Sequence, residues 1–134
     1  MLPLLLGAVI CGFFIVLARR FGAQREVWVY AVGLVLAAII YLGCALRGGE
    51  SRWAILALVA VALFTLSAWL GVRFSTIFLG VGWALHAGWD ALMHAILSVG
   101  FVPSWYPTTC LAFDLVLAGY VFFFLARKKS ATPT

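Results

Sequence analysis

The sequence predicts an all-α polytopic membrane protein, and three observations lead to that class. Charged residues make up only 10% of the 134 residues, against about 25% in soluble domains, while 66% are hydrophobic. Apolar runs of roughly 20 residues, the length that crosses a bilayer core, recur along the whole chain. Nearly every position within a run is apolar, which excludes the alternating pattern of a membrane barrel. We therefore expect one transmembrane helical domain over residues 1–134.

Polar interruptions divide the chain into five transmembrane helices. Arg19 and Arg20 close the first apolar run, and the hairpin RGGESR separates the second from the third. Pro103 and Pro107 are expected to break the chain before the last run, because proline cannot continue a hydrogen-bonded helical ladder. The predicted spans are 2–18, 27–46, 53–72, about 76–100 and about 108–126.

The distribution of lysine and arginine predicts the orientation of these spans. When five spans alternate sides, seven basic residues share one side and two share the other. The richer side is expected to be cytoplasmic, so the N-terminus lies outside and the C-terminus inside. This clustering beside apolar runs also argues against nucleic-acid binding. The seven are Arg19, Arg20, Arg25, Arg73, Arg127, Lys128 and Lys129, and the two are Arg47 and Arg52.

The few polar residues of the chain cluster in its fourth and fifth spans. Both histidines and one acidic residue lie in HAGWDALMH, as His86, Asp90 and His94, and Asp114 lies in the next span. Positions four apart share one slanting stripe of a helix, and ionisable groups in hydrocarbon face partners in the bundle interior. Asp114 is the expected partner, whereas Glu26 and Glu50 are expected in loops.

This cluster fits a divalent metal site, with Zn²⁺ or Fe²⁺ favoured over Mg²⁺ because imidazole suits the former. His86, Asp90, His94 and Asp114 are the candidate ligands. The two histidines are about 12 Å apart along the helix axis, so a single ion is expected to use Asp90, His94 and Asp114 or, less favourably, His86, Asp90 and Asp114. In the first set His86 is a further ligand or a neighbouring partner. One ion is better supported than two. Metal-free acid–base catalysis, a proton or ion relay, and a purely structural hydrogen bond remain open alternatives.

A second pattern concerns helix packing. Gly80, Ala84 and Gly88 place small residues every four positions on the fourth span, which permits close approach of another helix. The stripe alone leaves open whether that helix belongs to the same chain or to another. Self-association is expected, because five helices enclose little interior, and an accessory role in a larger membrane complex is the alternative.

Part of the chain resembles a known family. GVGWALHAGWDALMH, a proline-containing loop and CLAFD are similar to a family of small polytopic bacterial membrane proteins catalogued as a domain of unknown function. The resemblance covers about residues 72–122 and implies a bacterial inner-membrane location but no activity. The shared features fall on His86, Trp89, Asp90, His94, Cys110 and Asp114.

These observations favour a membrane-embedded enzyme that acts on a lipid-like or other apolar substrate. Asp90, His94 and Asp114 are its expected catalytic residues, with membrane lipids as partners and a divalent metal as the suspected cofactor. An accessory subunit of a larger membrane complex, or a relay or transporter, is the alternative.

Overall fold

The computed structural model describes residues 1–49, 51–96, 103 and 105–127, and these residues form five helices without a strand. Two of the helices continue into a wider π-helical turn, at Leu92–Ile96 and Val121–Leu125. The helices are α1 (Leu2–Arg19), α2 (Ala23–Arg47), α3 (Ser51–Arg73), α4 (Thr76–Ala91) and α5 (Trp105–Tyr120).

The all-α class predicted from the sequence is confirmed for this part of the chain. Four of the described helices are long and apolar enough to cross a membrane: Leu2–Arg19, Ala23–Arg47, Ser51–Arg73 and Trp105–Leu125. The helix with the polar cluster, α4, is not one of the four. The last residues of the predicted fourth span, 97–100, lie outside the described residues, as do Glu50, Lys128 and Lys129.

Two helix starts show how local sequence sets the boundaries. Ser75 precedes α4 in extended conformation, and its hydroxyl accepts a hydrogen bond from the backbone amide of Ile77. Helix α5 begins at Trp105, before Pro107, although Pro107 was expected to exclude helix. That expectation was wrong, because the first turn of a helix needs no amide donor and therefore accepts proline.

Helix α4 occupies the centre of the packing. It contacts α2, α3 and α5, and eight of its sixteen residues are buried. Glycines permit the close approach to α3: a Cβ at Gly71 would lie 2.7 Å from the Cβ of Leu79, and one at Gly82 would lie 2.6 Å from the Ser67 hydroxyl. Ser67 also donates a 2.7 Å hydrogen bond to the carbonyl of Phe78. The polar residues of α4 are therefore held in a fixed position.

The small-residue stripe of α4 is used within the chain at one of its ends. A Cβ at Gly80 would come 2.9 Å from the ring of Phe122, so this glycine packs against the end of α5. At Gly88 an added Cβ would meet no atom within 4 Å. Association with a second copy or a partner through the open end of the stripe stays a prediction.

Candidate functional site

Helices α4 and α5 bring one histidine and two aspartates together in the interior of the bundle. His86 and Asp90 are one turn apart on α4, and Asp114 faces them from α5. The side chains are 1%, 0% and 2% exposed. The Nδ1 atom of His86 lies 2.8 Å from Oδ2 of Asp114 and 3.8 Å from Oδ2 of Asp90. One ring nitrogen of His86 therefore faces both carboxylates and is in direct hydrogen-bond contact with that of Asp114.

This group has hydrogen-bonding capacity that the described residues leave unused. Nε2 of His86 and both carboxylate oxygens of Asp90 are buried and have no hydrogen-bond partner among them. Buried polar atoms in native proteins nearly always have a partner, because an unpartnered one loses its hydration without replacement. The hydroxyl of Tyr41 and Nε1 of Trp83 are likewise buried without a partner among the described residues. Asp90 therefore has unused capacity to accept hydrogen bonds or to bind a cation.

The geometry is compatible with a single metal ion. One ligand atom from each of His86, Asp90 and Asp114 can be chosen so that all three lie within 4.8 Å of one another. Zn²⁺ binds nitrogen and oxygen ligands at about 2.0–2.2 Å, which places neighbouring ligand atoms about 3 Å apart. Small side-chain adjustments would bring the three groups to that spacing. Imidazole together with carboxylates is a donor set that suits Zn²⁺ or Fe²⁺.

Aromatic rings form the walls of the site. The ring centroid of Phe64 on α3 lies 4.9 Å from that of His86, and those of Tyr41 and Trp83 lie 6.1 Å and 6.4 Å away. Tyr41 and Met93 are buried beside the site, with Trp89 and Tyr106 packed on them. These walls keep the local dielectric low, which strengthens every electrostatic interaction within the group.

His94 is not part of this group. Its side chain is exposed on the π-helical turn, whereas the neighbouring Met93 is 2% exposed. The change from α-helix to the wider π-helical turn at Leu92 alters the rotation per residue, and the structure buries Met93 there rather than His94. The structure thus brings together three of the four predicted ligands, His86, Asp90 and Asp114, which is the less favoured of the two sets expected from the sequence.

A second buried carboxylate was missed in the sequence. Glu26, expected in a loop, lies in the first turn of α2 and is 3% exposed. One of its oxygens, Oε1, accepts hydrogen bonds from the hydroxyls of Tyr30 at 3.0 Å and Tyr120 at 2.7 Å. The sequence did contain a signal for this contact: Tyr30 follows Glu26 by four residues, and residues four apart lie on the same face of a helix.

Tyr41 and Phe64 were also missed as parts of the site. Neither residue was among the site residues predicted from the sequence. Each lies in a long apolar run, where nothing local distinguishes a ring beside the histidine from a ring facing lipid.

The chain matches a known protein family. A family model, described as a family of unknown function (DUF6010), matches residues 2–128. The chain belongs to this family. The match extends well beyond residues 72–122, where the sequence resemblance was noted, and includes the first two helices. Among curated proteins and solved structures, none matches the chain.

Proposed function

We propose that this DUF6010 member is a membrane-embedded, metal-dependent enzyme that acts on a lipid-like or other apolar substrate. The observation that carries the proposal is the fully buried Asp90, whose two carboxylate oxygens have no hydrogen-bond partner among the described residues. Charged side chains within a membrane are costly and are usually retained for function. Three of them converge here from two helices.

Charge balance supports a divalent cation at this centre. When both are ionised, Asp90 and Asp114 carry two negative charges, and a protonated His86 compensates only one of them. Burial opposes this ionisation, and a bound cation would offset that cost. Asp114, 2.8 Å from His86, already takes that compensation, which leaves Asp90 as the excess charge. A divalent ion held by a neutral His86 and both carboxylates gives a group with no net charge. Such an ion would supply Lewis-acid polarisation of a substrate oxygen.

Metal-free acid–base catalysis is the second candidate, and one contact favours it. In the neutral form of His86, Nδ1 donates to an ionised Asp114, which can only accept, and Nε2 is then a free acceptor. An imidazole oriented by a carboxylate in this way can act as a general base. Metal content separates the two candidates.

A proton relay across the membrane is less well supported, because aromatic rings fill the space between this centre and Glu26. The ring centroids of Trp83 and Phe113 are 5.8 Å apart, those of Phe113 and Phe14 are 5.5 Å apart, and those of Phe14 and Tyr30 are 5.7 Å apart. The phenylalanine side chain has no hydrogen-bond donor or acceptor, so a proton cannot be transferred along this row of rings. These contacts therefore favour an enzyme over a proton relay or transporter.

The proposal includes a five-span topology in the bacterial inner membrane, with the N-terminus outside. Helix α4 and its π-helical turn run from Thr76 to Ile96, a length of about 30 Å, which matches the hydrocarbon core. The test attaches an impermeant thiol reagent to Phe74→Cys or Trp105→Cys, in a background without the native cysteines. Labelling from opposite sides supports a fifth crossing by α4, and labelling from one side contradicts it.

The activity itself can be tested without a known substrate. Lipid extracts are compared between membranes that contain the wild type, Asp114→Asn or His94→Ala. We expect a lipid-like species to be depleted by the wild type and by His94→Ala, and to accumulate with Asp114→Asn. Identical extracts from all three would contradict a lipid-directed enzyme. A membrane complex that still assembles and functions with Asp90→Asn would instead support the accessory-subunit alternative.

A further inference from the structure

A cavity lies where α1 and α5 end, at the opposite end of α5 from Trp105. It has a volume of about 470 Å³. We call it the arginine cavity, and its lining residues are Arg19, Tyr120, Phe123, Phe124, Leu125 and Arg127. Neither the His86 centre nor the proposed reaction uses any of these residues.

The two arginines give this cavity a positive charge. Arg19 ends α1 and Arg127 follows the last turn of α5, and both are exposed. Within the described residues, neither forms an ion pair with a carboxylate. The nearby Glu26 is buried and accepts hydrogen bonds from Tyr30 and Tyr120. An anion that enters the cavity therefore meets two guanidinium groups, and guanidinium forks suit phosphate oxygens.

The remaining walls are aromatic and face outward. Phe123 and Phe124 are 61% and 66% exposed, and the ring of Phe124 stacks on Tyr120 with centroids 5.7 Å apart. A small soluble anion makes no use of such walls, whereas a phosphate joined to acyl chains does. Tyr120 in turn is held by its hydrogen bond to Glu26, which fixes this side of the cavity.

We propose that the arginine cavity binds the phosphate headgroup of an anionic phospholipid, with its acyl chains along Phe123 and Phe124. Basic pockets between helices at the cytoplasmic side of membrane proteins bind anionic headgroups in this way. This end of the bundle is the one that the arginine distribution predicts to be cytoplasmic. The inference is independent of the chemistry at His86, Asp90 and Asp114.

The test measures lipid binding to the detergent-solubilised full chain by native mass spectrometry. Phosphatidylglycerol is titrated against phosphatidylcholine for the wild type, for the double variant Arg19→Gln/Arg127→Gln, and for Arg20→Gln. Arg20 is the matched control, because it is exposed and adjacent to Arg19 but does not line the cavity. Each arginine beside an anionic lipid contributes about fivefold, so the double variant should bind phosphatidylglycerol about thirtyfold more weakly.

The control variant should retain the affinity of the wild type. An equal loss in Arg20→Gln would show a general basic surface and would overturn the proposal, as would equal binding of the two lipids by the wild type. Competition by millimolar inorganic phosphate would identify a site for soluble anions instead and would also overturn it. If the double variant does not fold, Arg127→Gln alone, at an exposed helix end, should lose about fivefold.

Discussion

Replacement of Asp90 by asparagine should remove most of the stabilisation that the protein gains from a bound metal ion. The substitution keeps the size of the side chain and removes the one carboxylate of the centre that lacks a hydrogen bond among the described residues. Loss of a group that only supports a metal ligand costs about tenfold to a hundredfold in affinity, so loss of a direct ligand should cost at least about a hundredfold.

The expected stability change follows from linkage between metal binding and folding. With free Zn²⁺ at about one hundred times the wild-type Kd, binding stabilises the wild type by about 2.7 kcal/mol. The same concentration only equals the Kd of Asp90→Asn, which is then stabilised by about 0.4 kcal/mol. At about 4 °C per kcal/mol, these values correspond to Tm increases of about 10 °C and about 2 °C.

With a chelator present, the wild type should no longer be more stable than Asp90→Asn. Without metal, an ionised Asp90 is a buried charge 3.8 Å from His86, and asparagine avoids the cost of burying that charge. A protonated Asp90 is as neutral as asparagine. Asp90→Asn should therefore be at least as stable as the wild type without metal. The assay is thermal unfolding in detergent with Zn²⁺ or with chelator, and Glu26→Gln serves as a buried-carboxylate control that should keep the full metal response.

Two outcomes would refute this reasoning. The first is an equal Tm increase with Zn²⁺ in the wild type and in Asp90→Asn, which would place the metal elsewhere. The second is no metal response in either protein together with lower stability of Asp90→Asn in chelator, which would make Asp90 a structural residue.

Two further predictions concern packing around the site and are measured by thermal unfolding in detergent. Tyr120→Phe removes one of the two hydroxyl groups that donate hydrogen bonds to the buried Glu26. It should lower the free energy of unfolding by about 1.5–3 kcal/mol. A loss below about 0.5 kcal/mol would contradict the hydrogen bond. Gly80→Ala should destabilise by about 1–3 kcal/mol because its Cβ would meet Phe122, whereas Gly88→Ala, with open space around it, should be neutral or gain up to about 1 kcal/mol. Equal effects of the two alanines would contradict the packing of α4 against the end of α5.

The helices could be predicted from the sequence because their signals are local. Length and apolar composition located the four described helices that are long and apolar enough to cross a membrane, with ends within a few residues of those observed. The helix ends were less well predicted where a proline occurs, because proline can either interrupt a helix or occupy its first turn. Pro107 interrupts a helix interior but fits the first turn of α5, and only the position of the helix start distinguishes these cases.

The site was predicted in part, for a related reason. His86, Asp90 and Asp114 could be grouped because ionisable residues are rare in this chain and must find partners. The choice between His86 and His94 needed the rotation of α4 relative to α5, which long-range packing sets, and Met93 occupies the inward position instead. Glu26 was missed because α2 begins at Ala23, before the apolar run that marked the predicted span.

The most direct test of the central claim is the metal content of the purified chain, prepared without chelator and measured by elemental analysis. The account predicts about one Zn²⁺ or Fe²⁺ per chain in the wild type and in His94→Ala, and loss of that metal in His86→Ala. The two variants remove the same type of side chain from the same helix segment, one buried beside Asp114 and one exposed. A wild-type protein without metal, or equal metal loss in both variants, would contradict the account.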